Sequence, residues 1–80
     1  MSEYSVVQFF VDDSYEKIVE FVEAEEAIRV AIQTCRSVGA KIGTTKRVII
    51  TDGGDFCNWK WIHGKGIVYP PEVAGKPIPE

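Results

Sequence analysis

Apolar residues in this chain follow two different periods, and the switches between them mark out its elements. Over residues 4–11 (YSVVQFFV) aromatic and β-branched types run together, which predicts a strand. Residues 15–22 (YEKIVEFV) predict a second strand. The intervening Asp12-Asp13-Ser14 is turn chemistry, because short polar side chains bond nearby backbone amides. From Ala24 the spacing becomes helical. Ala24, Ala27, Ile28, Ala31, Cys35, Val38 and Ile42 form an apolar stripe, with Glu25, Glu26, Arg29, Gln33, Arg36 and Lys41 between them. One amphipathic helix is predicted over 24–41, N-capped at Glu23 with Glu26 reaching back, and ended by Gly39 or Gly43.

Residues 46–51 (KRVIIT) and 56–62 (FCNWKWI) predict strands three and four. Asp52-Gly53-Gly54-Asp55 between them is the strongest hairpin signal in the chain. His63-Gly64-Lys65-Gly66 predicts another tight turn, leading into a short fifth strand at 67–69. All four prolines fall in residues 70–80, where they preclude a hydrogen-bonded ladder and predict an extended tail. The expected unit is a single domain over residues 1–69. Its class is α+β: a two-layer fold of ββαββ order, with an antiparallel sheet of four or five strands and one helix.

Alternate residues of a strand point to opposite faces. One row of each strand is Val7/Phe9/Val11, Val19/Phe21, Val48/Ile50 and Cys57/Trp59/Trp61, and the opposite rows include Val6/Phe10, Ile18/Val22, Ile49 and Phe56/Ile62; which rows share a face depends on register, which the pattern does not fix. Both sets are apolar, whereas a sheet with one wet face alternates between apolar and polar. A lone helix covers one face. The other is therefore expected to be an interaction surface that includes Val6, Phe10, Ile18, Val22, Phe56 and Ile62. A homodimer formed through a sheet face or edge is the leading expectation.

Length reinforces the search for a partner. One core in 80 residues rarely supplies more than roughly 3–5 kcal/mol. No apolar run exceeds four residues, so no membrane-spanning helix is expected. The start, MSEYSVVQFF, lacks the basic and apolar regions of a signal peptide, which points to the cytoplasm and to two reduced cysteines. The net charge of −3 is unevenly spread: residues 1–26 carry −7 and residues 27–80 carry +4. Overall acidity works against binding a phosphate backbone.

Candidate chemistry is sparse. His63 is the lone histidine and sits in a predicted turn, with Asp52 and Asp55 roughly 20 Å away at the other end of a strand. No dyad forms at that distance. Cys35, Cys57 and His63 lack the close pairing of a zinc site. The DGGD segment lacks the ligand spacing of an EF-hand, and Gly43–Arg47 (GTTKR) lacks the order of a phosphate-binding loop. No metal or cofactor is expected. Trp59-Lys60-Trp61 puts two indoles on one side of a strand. With Lys46, Arg47, Lys60 and Lys65 nearby, it has the composition of a weak single-strand-binding platform.

The stretches VVQFFVDDSYE, AEEA at the helix start and RVIITDGGDFCNW resemble a set of short bacterial proteins with no known activity, over residues 4–70. The resemblance implies a shared ββαββ layout and a bacterial source, and brings no catalytic residue to any position here.

The sequence thus leads to a non-catalytic interaction module that associates with itself. A weak nucleic-acid binder using the strand 3–strand 4 hairpin is the alternative. A small enzyme or ligand-binding protein with an intersubunit site comes third, since so short a chain leaves little room for a pocket of 300–1,000 Å³.

Overall fold

A computed structural model describes residues 3–52, 56–75 and 78. It contains five strands and two helices: β1 (Tyr4–Phe10), β2 (Tyr15–Val22), α1 (Ala24–Cys35), α2 (Val38–Ile42), β3 (Thr45–Thr51), β4 (Cys57–Ile62) and β5 (Gly66–Tyr69). The class is α+β. The single helix and the ββαββ order need correction, because the helical stretch is broken and the fifth strand completes the sheet. All neighbouring strands are antiparallel, in the order β2-β1-β3-β4-β5.

The helix breaks at Ser37. Arg36, the C-cap of α1, sends its amide to both Ile32 and Gln33 carbonyls, and Ser37 then starts α2. The Ser37 hydroxyl donates to the Thr34 carbonyl at 2.6 Å and accepts from the Ala40 amide at 3.3 Å, serving both helix ends. Gly43 closes α2 in the left-handed conformation, φ +93°, while Gly39 lies within it. At the other end Glu23 is the N-cap but makes no side-chain cap bond, and Glu26 pairs with Arg29 on the surface.

The β1–β2 turn follows its side chains. Asp12 accepts from the Ser14 amide at 2.9 Å and from its hydroxyl, bonds that hold the Asp12 carboxyl below its usual range. Asp13 takes a left-handed φ of 71° there. Of the DGGD turn, Gly53, Gly54 and Asp55 lie outside the described residues; Asp52 and Phe56 flank them, with the Asp52 amide donating to the Phe56 carbonyl.

The core lies between the helices and one sheet face. Val6, Val48, Ile50, Trp59, Trp61 and Ile67 from the strands meet Ala27, Val30, Ala31, Cys35 and Ala40 from the helices. Bulky residues on the sheet face small ones on the helices, which lets the two layers close on each other. Helix α1 packs over β1, β2 and β3, and α2 over β3. The C-terminal segment turns back after Tyr69: Gly75 donates to the Ile67 carbonyl at 2.8 Å, and Val73 and Ile78 pack against the core. Over its described residues, then, the proline-rich segment is packed onto the domain.

Candidate functional site

The helix covers half of the core face and leaves a cleft beside it. Register places Trp59 opposite Ile50 and Trp61 opposite Val48, so both indoles stand on the helix side of the sheet. Helix α1 lies over the other half, toward β2. Between α1, the β4–β5 half and the C-terminal turn is a cleft of about 430 Å³. Ala24, Ile28 and Ile32, one helical row at i, i+4 and i+8, form one wall. Tyr4, Ile50, Trp59 and Ile67 form the floor, and Pro70 and Val73 form the far side. Asn58 supplies the one amide side chain, its Nδ2 donating to the Phe56 carbonyl at 3.3 Å. Among the described residues, no carboxylate, imidazole, thiol or ammonium group lines it. This volume falls within the range of small-molecule sites, correcting the expectation that the chain is too short for one.

The opposite sheet face is mixed. One row runs Tyr15, Phe9, Arg47 and Ile62; the next runs Lys17, Val7, Ile49, Lys60 and Tyr69. Arg47 lays its guanidinium over the Phe9 ring, 4.1 Å from the centroid, and Phe9 also meets Tyr15 at 5.9 Å between centroids. Val7 is only 7% exposed although no helix covers it. It is flanked by Phe9, Lys17, Ile49 and Arg47, and long cationic side chains shelter apolar surface with their aliphatic stems. A continuous apolar second face is therefore absent.

The six expected interaction residues do not share a surface. Val6 is fully buried beneath the helices, and Ile18 and Val22 pack on the core from β2. Phe10 alternates with Val6 and Gln8 on the helix side and pairs with Thr45; Ile62 sits on the opposite face, and Phe56 projects into solvent before β4. A strand's rows swap faces at each bulge, and β1, β2 and β3 carry register shifts that sequence alone does not show.

The basic residues are also divided. Lys46 is bonded to Asp13 at 2.6 Å, and Arg47 is stacked on Phe9. Lys60 lies on the open face beside Ile49, and Lys65 is exposed in the β4–β5 turn. Trp59 and Trp61 are both buried and cannot serve as the stacking platform. His63 is in the turn, its ring against Gly43. Cys35 is buried, which pushes its thiol up to about 12, and the half-buried Cys57 donates to the Trp59 carbonyl at 3.3 Å. Among the described residues no three His, Cys, Asp or Glu side chains cluster as metal ligands, and no helix is long and apolar enough to cross a membrane.

Ile32 was missing from the sequence-derived stripe. The signal that reveals the cleft is width: α1 carries Ala24/Ile28/Ile32 beside Ala27/Val30/Ala31, an apolar arc broader than one sheet contact consumes.

The chain matches no family model, no curated protein and no solved structure.

Proposed function

We propose that this protein is a small non-catalytic binding module whose recognition site is the cleft beside α1, accepting a compact apolar group. The carrying observation is the cleft's composition among the described residues: aliphatic and aromatic walls, one amide and the Tyr4 phenol as the polar side chains, and no carboxylate, imidazole, ammonium group or thiol to run a reaction. Apolar surface of this shape gains free energy by leaving water, at roughly 25 cal/mol per Å².

Trp59 in the floor is a built-in reporter. The test is titration of the protein with decanoate and, separately, with anilinonaphthalene sulfonate, following indole emission and amide chemical shifts. Saturable changes centred on Trp59, Ile28 and Val73 are expected, and Ile28→Asp should abolish them while leaving the fold intact. Absence of any change at millimolar probe would remove this reading.

Self-association is a second reading, favoured by a different patch. Val38 and Ile42, one helical turn apart on α2, are 73% and 72% exposed, and Val11, whose amide donates to Thr44 just beyond α2, is 61% exposed. Three large aliphatic groups in water at one end of the domain suit a small two-fold contact between copies. Light scattering across a concentration series, repeated with Ile42→Asp, tests it: a 9.0 kDa species at every concentration excludes it.

A further inference from the structure

The open sheet face carries a second arrangement of side chains, independent of the cleft. We infer that this face is a binding surface for single-stranded nucleic acid, with Lys17, Arg47 and Lys60 meeting the phosphates and Tyr15 and Tyr69 stacking on bases. Tyr15 and Tyr69 stand on the two edge strands, β2 and β5, and both are exposed. Four strand spacings separate those edges, about 19 Å, a span for a segment a few nucleotides long. Between them, the Arg47 guanidinium carbon lies over the Phe9 ring, 4.1 Å from its centroid.

Charge supports the assignment. Arg47 and Lys60 make no ion pair among the described residues. Among the described residues the Arg47 guanidinium faces the Phe9 ring and no carboxylate, and Lys60 has no acidic partner, so the face offers cationic charge to an anion. Six of the described acids lie off this face. Glu23, Glu25 and Glu26 begin α1 on the other layer, Asp12 and Asp13 are in the β1–β2 turn with Asp13 held by Lys46, and Glu16 bonds Gln8 on the helix side. Glu20 is the exception, 3.4 Å from Lys17 in an exposed pair that phosphate can displace. Cations interleaved with aromatic side chains on an open sheet fit a flexible chain of charged links and flat bases better than they fit an apolar protein surface.

The test uses the full chain and short fluorescein-labelled oligothymidylate and oligouridylate, read by anisotropy over a salt series. Saturable binding is expected, with log affinity falling against log salt at a slope of about −2, from roughly 0.7 for each of three neutralised phosphates. Lys60→Ala should flatten that slope by about 0.7. Tyr15→Ala and Tyr69→Ala should each weaken binding roughly 5- to 150-fold with the slope unchanged, because stacking is uncharged. These three residues lie on the open face, outside the helix-side core, and circular dichroism confirms folding of each variant. Ile28→Asp should leave oligonucleotide binding intact, so failure of the cleft reading and failure of this one are separable. No binding at low salt overturns the inference. So does binding that ignores both tyrosines and is competed equally by heparin, which has charge without bases.

Discussion

The Thr45 hydroxyl donates to the Gln8 side-chain oxygen at 3.0 Å, tying the start of β3 to the middle of β1. Gln8 passes the chain on, donating to Glu16 at 2.7 Å, so three strands are joined by side chains as well as backbone. Among the described residues, Thr45 is the one buried polar residue in an otherwise apolar core layer. Thr45→Val keeps the shape but leaves the Gln8 acceptor without its donor. A loss of about 1 kcal/mol is expected. For a domain of this size that is a melting temperature lower by roughly 4–8 °C, read by calorimetry.

Gly39 depends on the same hydroxyl. A methyl group there would stand 3.1 Å from Thr45 Oγ1, which its bond to Gln8 keeps from moving aside. Gly39→Ala alone should therefore fail to stabilise α2, although alanine is the better helix former. In a Thr45→Ala background the obstruction is gone, and the same change should add about 0.5–1 kcal/mol. Urea denaturation of the four proteins in this cycle tests the coupling.

Phe21 sits at φ +56°, in the left-handed region, on the edge strand β2, and is 69% exposed. A bulky residue there carries backbone strain of order 1 kcal/mol with little packing in return. Phe21→Gly should raise stability by about that much. A drop in the denaturation midpoint would show that Phe21 packs in solution against something further.

Cys35 titrates in a direction that burial decides. Its thiol moves from an ordinary value near 9 up to about 12 because the thiolate would be desolvated. The folded state thus holds the proton more tightly than the unfolded state. Its contribution to stability is complete below pH 9 and is lost progressively from about pH 9 to about pH 12. Stability measured over that range should fall less steeply for Cys35→Ala than for the unsubstituted protein. In thiol-reagent assays at neutral pH, Cys57 should react in the native state and Cys35 only after unfolding.

The elements were legible because their signals are local. The Asp12–Ser14 turn, the glycine-bearing β4–β5 turn and the change from strand to helix spacing at Ala24 each depend on neighbours in sequence. The break at Ser37 was hidden because Thr34 and Ala40, its two bonding partners, sit within an uninterrupted helical pattern. Which strand rows share a face stayed open for a different reason. Register shifts next to Val6 and Phe9 move side chains between layers, and they arise from pairing with strands distant in sequence. The binding surfaces stayed out of reach with them: the cleft needs the C-terminal turn to fold back onto Trp59, and the open face needs Lys17 and Lys60 brought to either side of Val7 and Ile49.

The central place of β1 also bears on how the chain assembles. The β1–β2, β3–β4 and β4–β5 ladders each close between neighbours in sequence, but β1 meets β3 only across the whole helical segment. During synthesis the first hairpin can zip as soon as Val22 has emerged, while the other flank of β1 stays open until Thr51 follows. In that interval Val6 has Val19 of β2 beside it but not yet Ile50 of β3, so the nascent chain offers a sticky, half-paired ribbon. That one late seam is where folding should be slowest, and where a misplaced second copy could most easily slip in.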